Sequence, residues 1–294
     1  MNGILAIDKE KDYTSFDVVA KLRGILSMRK IGHGGTLDPM ATGVLPLFLG
    51  SSTKIISLIP DMDKEYIADF QLGIETDTQD ITGNIVNKSY FHVTKQLLSE
   101  KITTIIGEIY QVPPMYSAVK VNGQRLYKLA RQGKEIKRDA RKVTVYNIQI
   151  ISFNEETQSG RLKIYSSKGT YVRTLIHDLG IKLNTFATLT SLRRIKALGI
   201  DISKCYTLRQ IEEVKDNKLF LNLNYLIKPE EILSSYPKIY LNDDYVKKFS
   251  NGAQFYVSSI FSGYHRIYNE LKQYIGIGKV DNNILKVVAI NSEG

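Results

Sequence analysis

The stretch Gly32-His-Gly-Gly-Thr-Leu-Asp-Pro-Met-Ala-Thr-Gly-Val-Leu45 sets a carboxylate, Asp38, just after a glycine pair and immediately before a proline. Glycine widens the backbone choices on one side and Pro39 narrows them on the other, so Asp38 is held in a specified conformation. A glycine-rich run invites a nucleotide-cofactor reading, but the spacing refuses it. The P-loop needs Gly-Lys-Ser/Thr, and the dinucleotide fingerprint needs a different glycine spacing. Two readings of Asp38 stay open on this stretch alone: a turn aspartate bonding its own backbone, or a carboxylate placed for chemistry.

Outward from this stretch the chain alternates short strands and helices without a regular strand–helix–strand rhythm, which argues an α+β fold. Gly3–Lys9 reads as a strand, and Thr14 and Ser15 can cap a helix whose apolar stripe is Val18, Val19, Leu22, Ile25 and Leu26. Residues 32–35 read as a turn, 43–50 as a short apolar run, and 51–53 as a helix start. Residues 65–73 alternate, with Tyr66, Ala68, Phe70 and Leu72 on one face, the pattern of a half-buried strand. Thr94 can cap a helix carrying Leu97, Leu98, Ile102, Ile105 and Ile106, ended by Gly107. Pro113 and Pro114 break the pattern before a basic helix over 126–131, and 143–153 and 161–166 read as strands. Thr170 can cap a helix with Val172, Leu175, Ile176 and Leu179 inside and Gly180 as its stop, and Thr207 with Gln210 reads as a capping box. From about Tyr236 the chain turns to short strand-like runs with turn signals at Asn242-Asp243, Asn251-Gly252 and Asp281-Asn-Asn283, a small β-rich terminal domain.

With 43% hydrophobic and 24% charged residues among 294, the chain is expected to fold rather than to remain disordered. No apolar stretch approaches the ~20 residues that cross a bilayer. The opening run is broken by Asp8 and reads as a poor signal peptide. A single cysteine, Cys205, allows no intramolecular disulfide and suits a cytoplasmic setting. Four scattered histidines and no cysteine pair leave no metal site to expect. The formal charge of +10 points to an anionic partner. Its distribution sharpens the reading: residues 111–146 hold nine basic residues against Glu135 and Asp139, a local +7, interleaved with Tyr116, Tyr127 and Tyr146. A solvated helix face and a nucleic-acid surface both fit a charge run; single sign and interleaved tyrosines favour nucleic acid. The residues after 235 carry seven basic against five acidic side chains, so most of the field belongs to the earlier part.

Arg173 would stand in the first turn of the helix after Thr170, where the positive end of the helix dipole disfavours a cation by roughly 0.3–1 kcal/mol. It also lies off the apolar stripe, which predicts that replacing it would leave stability almost unchanged. A solvated arginine is one reading, and an arginine held by an anionic partner is the other.

Five ordered segments resemble the TruB family, the tRNA pseudouridine-55 synthases. They are the stretch around Asp38, Lys64-Glu-Tyr-Ile-Ala68, Gln111-Val-Pro-Pro-Met-Tyr-Ser-Ala-Val-Lys120, Gly169-Thr-Tyr-Val-Arg-Thr-Leu175 with Asp178-Leu-Gly180, and Leu189-Thr-Ser-Leu-Arg-Arg194. The resemblance implies a mixed-sheet pseudouridine synthase domain over 1–235, with a basic RNA-binding insertion at about 111–146, and a PUA-like RNA-binding domain over 236–294. It implies that Asp38 is the catalytic aspartate, with Arg173 as its partner and favouring its charged form. Tyr66 would stack on a flipped uracil and Tyr171 would assist at C5. His33 would hold the rearranged RNA loop, Leu192 would wall the pocket, and Lys9, Lys64, Lys120, Arg125, Arg131 and Arg141 would contact RNA. The implied activity is uridine-to-pseudouridine isomerisation at position 55 in the T-arm of tRNA, leaning to a route through a glycal. No cofactor or metal is needed, because nothing is oxidised and no group is imported. The implied partner is tRNA, with no membrane and no obligate protein partner, the chain acting as a cytoplasmic monomer. An RNA-binding or tRNA-folding protein, or a synthase acting on another RNA, would share the charge; the intact set Asp38, Tyr66 and Arg173 favours the enzyme. One departure stands near the start: the family's Lys-Pro-x-Gly-x-Thr-Ser reads Lys9-Glu-Lys-Asp-Tyr-Thr-Ser15, lacking both proline and glycine.

Overall fold

Thr14 opens the first helix as the sequence predicts. Its hydroxyl accepts the Asp17 amide while the Asp17 carboxylate accepts the Thr14 amide at 2.8 Å, a reciprocal capping box. The structure is a computed structural model and describes every residue except 61, 118, 122, 131, 217–224, 259 and 292–294; of residues 120, 125, 215 and 216 the backbone alone is described. In chain order the first elements are β1 (Gly3–Lys9), α1 (Ser15–Leu26), β2 (Ile31–His33), β3 (Thr42–Leu49) and a 3₁₀ stretch over Gly50–Leu58. Next come β4 (Lys64–Leu72), β5 (Ile74–Thr76), β6 (Ile85–Lys88), α2 (Lys95–Thr103) and β7 (Gly107–Gln111). The basic segment holds β8 (Lys120–Val121), β9 (Gln124–Arg125) and α3 (Leu126–Ala130). It is followed by β10 (Arg141–Asn154), β11 (Ser159–Ser166), α4 (Val172–Lys182), β12 (Ala187–Ala197), β13 (Ile200–Asp201) and α5 (Leu208–Asp216). The chain ends through α6 (Pro229–Ile232), β14 (Lys238–Leu241), α7 (Asp243–Ser250), β15 (Phe255–Tyr256), β16 (Gly263–Asn269), β17 (Tyr274–Asp281) and β18 (Ile284–Ile290).

Two compact units result, one of residues 1–39, 44–61 and 198–294 and the other of residues 40–43 and 62–197. In the second unit the strands run β12-β4-β11-β10-β7, all antiparallel, while Thr42 and Gly43 run parallel to Arg193 and Arg194. The sheet is therefore mixed. Gly43 has φ +101°, and a Cβ there would collide with the Arg194 carbonyl, so glycine is what lets these two backbones meet. β4 buries Tyr66, Ala68, Phe70 and Leu72 on one face, as the alternation predicts. α4 covers the sheet with Val172, Leu175, Ile176 and Leu179, all buried.

In the first unit β2 pairs antiparallel with β3, and α1 packs against β2 and α5. The terminal strands form their own mixed sheet in the order β14-β16-β17-β18-β15, with β14 parallel to β16. Ile239, Leu241, Phe249, Ile267, Val280 and Leu285 make its core.

Several local readings are corrected. Gly32 and His33 are not turn residues but lie in β2, paired with Phe48 and Leu47, because the apolar run of β3 gives them a strand partner. The expected helix at 51–53 is a 3₁₀ stretch. Ile105 and Ile106 fall beyond α2. Thr170 caps nothing: the residue preceding α4 is Tyr171, and no side chain caps that end. Gly180 does not stop α4, which runs on to Lys182. A Cβ on Gly180 would lie 2.5 Å from the Ala187 backbone nitrogen, so this glycine serves close helix–strand packing. The basic helix ends at Ala130, and Arg131 lies outside the described residues.

Candidate active site

Within the first unit, the backbone on both sides of Asp38 is tied down. The Leu37 amide donates to Ser15 Oγ at 2.8 Å, and that hydroxyl donates to the Leu37 carbonyl at 3.2 Å. On the other flank the Pro39 carbonyl accepts the Asp12 amide at 2.8 Å and Lys9 Nζ at 3.2 Å. Ser15 is the buried first residue of α1, so the same turn that begins the helix also holds the aspartate's neighbour. Lys9, expected to contact RNA, is fully buried; its ammonium donates also to the carbonyls of Glu10 at 2.9 Å and Tyr13 at 2.6 Å. Spending its donors on three carbonyls makes it a brace of the Asp38 loop. Asp12, where the family pattern has glycine, sits at φ +69°, a left-handed conformation that glycine adopts freely and that aspartate is among the few side chains to visit. His33 lies on β2, half-buried.

The second unit gathers Tyr66, Leu192, Tyr171, Arg173 and Lys64. Tyr66 faces Arg194 across the β4–β12 ladder, and Ala68 faces Leu192, so Tyr66, Leu192 and Arg194 share one buried face. Lys64, also expected on RNA, is nearly buried and donates to the Met62 carbonyl at 2.6 Å. Arg173 is 5% exposed, which overturns the expectation that it lies off the buried face. Its Nη1 meets Asp80 Oδ2 at 3.3 Å, and its Nη2 donates to the Tyr116 carbonyl. Asp80 is 3% exposed, and its other oxygen accepts the Thr78 hydroxyl at 2.9 Å and the Thr82 amide at 3.0 Å. A buried cation and a buried anion thus satisfy each other at the start of an uncapped helix.

Asp80 was missed by the sequence reading. The signal for it is the run Thr76-Asp-Thr-Gln-Asp-Ile-Thr-Gly83, dense in the side chains that build local turns by bonding backbone amides. Two more bonds join the strand and turn that carry it to α4: Thr174 Oγ1 donates to Gln79 Oε1 at 2.7 Å, and His177 Nε2 meets Glu75 Oε1 at 2.8 Å. Hydrogen bonding to Asp178 raises the His177 pKa; burial opposes this, and Glu75 adds to the rise. Burial pushes Glu75 upward, but hydrogen bonds from Asn87 and His177 outweigh it, and its pKa lies below the usual value.

Tyr171 precedes α4, and its backbone is bonded by the Gln111 side chain. In the basic segment Lys128, Lys134, Lys137, Arg141 and Lys142 are exposed, a run of cations on the surface of this unit. The side chains of Lys120 and Arg125 lie outside the described atoms. Among the described residues no cluster of three or more His, Cys, Asp or Glu could hold a metal, and no helix is long and apolar enough to cross a membrane.

The N-terminal domain of the TruB family pseudouridylate synthases matches residues 23–172, and the C-terminal domain of tRNA pseudouridylate synthase B matches residues 173–234. The chain is 41% identical to the tRNA pseudouridine synthase B of Clostridium kluyveri over 99% of each chain, and 40% identical to that of Clostridium perfringens over 98% of each. Among solved structures, a chain of a Cbf5-Nop10-Gar1 complex is 25% identical with a TM-score of 0.70, covering 99% of this chain and 84% of that one. A chain of an H/ACA RNP bound to a substrate RNA is 22% identical with a TM-score of 0.71, over 99% and 85%, and shares the fold. The relatedness runs the length of the sequence and through every segment that holds the candidate site: this chain belongs to the TruB family of pseudouridylate synthases.

Proposed function

We propose that this chain converts uridine to pseudouridine at position 55 in the T-arm of tRNA, with Asp38 as its catalytic carboxylate and Arg173, whose guanidinium is already held by Asp80, as a further source of positive charge that favours the ionised Asp38. The observation that carries the reading is the bracing of Leu37 and Pro39 by Ser15, Asp12 and Lys9, which fixes a carboxylate inside a family motif. Such preorganisation is what a reacting group needs.

The reaction breaks the N1–C1′ bond, turns the uracil and joins C5 to C1′; a proton leaves C5 and one is taken up at N1. The target must first leave the stack, which costs a few kcal/mol, offset by phosphate contacts and by stacking on Tyr66. Asp38 in its charged form takes the C2′ proton as the N1–C1′ bond breaks and returns it to C2′ as C5 joins C1′, Tyr171 assists proton loss at C5, and Leu192 closes the apolar wall. The exposed cations of residues 128–142 and His33 contact the RNA. Residues 236–294 are read as a PUA-like RNA-binding domain, supported by their separate core. The reading includes action in the cytoplasm, as a monomer on tRNA alone, without cofactor or metal.

The test offers the purified chain a T-arm hairpin carrying tritium at uridine C5, with no other component. Tritium release with pseudouridine at the position equivalent to 55 supports the proposal. Binding without release would favour an RNA-binding protein, and release only from other RNAs would redirect the substrate.

A further inference from the structure

Gln111 closes β7, where its backbone pairs with Arg141, the first residue of β10. It is 2% exposed, and its side chain reaches sixty residues along the chain to the backbone of Tyr171. There it makes two bonds to one residue. Gln111 Oε1 accepts the Tyr171 amide at 2.8 Å, and Gln111 Nε2 donates to the Tyr171 carbonyl at 3.1 Å. Each bond requires the same orientation of the side-chain amide, so the pair is self-consistent.

Tyr171 is a demanding place to hold. It precedes α4 at φ −95° and ψ 106°, no side chain caps the helix there, and its carbonyl already accepts the Leu175 amide at 3.0 Å. The direction of the Tyr171 side chain and the phase of the first helical turn, on which Arg173 sits, depend on those two dihedrals. A second tie joins the same pieces, because Arg173 donates to the Tyr116 carbonyl, five residues beyond Gln111. The segment that leaves β7 for the basic region is thus fastened to the start of α4 at two points, both involving residues assigned above to the reaction.

We propose that Gln111 is a positioning residue for pseudouridine formation: its amide straps the Tyr171 backbone and so aims the Tyr171 ring and the first turn that carries Arg173. The proposal rests on the assignment of Tyr171 and Arg173 under Proposed function. Although its backbone neighbours Arg141, the Gln111 side chain is buried and spends its amide on the Tyr171 backbone, so its loss is expected to act on the chemical step and to leave RNA affinity in place. A displacement of about 1 Å at a reacting group costs on the order of a hundred-fold in rate.

Two variants of the full chain test this in single-turnover assays with tRNA. Gln111→Met keeps length and packing but removes both bonds; Gln111→Glu keeps the acceptor for the amide and loses the donor to the carbonyl. Each is expected to lower the rate at saturating tRNA by at least ten-fold, with Kd for tRNA within three-fold of wild type. Protonation of the new carboxyl restores a donor, so the rate of the Glu variant relative to wild type should climb as pH falls from 7 to 5. The same ratio for the Met variant should stay flat, a distinction that a merely packed residue would not produce. Tyr171→Leu is measured alongside. If it loses activity while both Gln111 variants keep the wild-type rate, the strap is overturned and the assignment of Tyr171 stands. If Tyr171→Leu is fully active, the assignment and the strap both fall. Equal loss of rate, affinity and thermal stability in the Met variant, with a flat ratio for the Glu variant, would also overturn it.

Discussion

Arg173 sits where the helix dipole disfavours it, and its partners explain why it is there. Asp80 meets its guanidinium at 3.3 Å, and both side chains are almost fully buried. Removing one member of such a pair leaves the other charge stranded, which typically costs roughly 3–5 kcal/mol. Arg173→Met is therefore expected to shift the urea midpoint strongly downward as well as to abolish turnover. Arg173→Lys keeps the charge but loses the planar two-pronged donor, so it should lose rate while retaining more stability. Equal stability for wild type and Arg173→Met in urea titrations would contradict the pairing. The dipole conflict was visible in the sequence and correctly asked for an anion. The burial was not, because the stripe of Val172, Leu175, Ile176 and Leu179 describes one face of an amphipathic helix, whereas α4 is buried over most of its first two turns. Asp80 escaped for a related reason: a carboxylate in a turn of threonines reads as local punctuation until a distant arginine is folded onto it.

Among the elements, those declared by local chemistry were legible. The capping box at Thr14, the cap at Thr94, the box at Thr207 and the alternation of β4 all stand as read. Those set by tertiary partners were not: β2 exists because β3 lies beside it, and Gly180 is inside α4 because Ala187 approaches too closely for a side chain. α4 is further tied to β5 by the Glu75–His177 pair, which makes stability depend on pH. His177 has a pKa raised first by Asp178 and then by Glu75, so its contribution through both is complete below 6.5 and fades as pH rises through the folded value. Glu75 has a lowered pKa, so its contribution is present above 4.5 and fades as pH falls through its folded value. The gap in thermal midpoint between wild type and His177→Gln should therefore be widest between 4.5 and 6.5 and narrow above that range. A gap that is constant from pH 5 to 9 would show that His177 carries no titrating interaction with Asp178 or Glu75.

Across the whole molecule the +10 charge is uneven, with residues 111–146 alone holding nine basic against two acidic side chains. That asymmetry was readable from the sequence, as was the small β-rich terminal sheet. The division into two compact units was not, since residues 40–43 join a unit whose remainder begins at 62. If the exposed cations contact RNA phosphates, tRNA affinity must fall steeply with salt. Replacing Lys134, Lys137 and Arg141 together by glutamine should flatten the slope of log Kd against log salt by about two to three. An unchanged slope would move the RNA surface elsewhere. The central claim is that a braced Asp38 performs the chemistry while this basic surface does the binding. It is tested most directly by single-turnover pseudouridine formation in a T-arm hairpin by the Asp38→Asn variant, with Kd measured on the same RNA. The expected result is no pseudouridine at any time, with Kd within a few-fold of wild type; measurable conversion by Asp38→Asn would contradict the account.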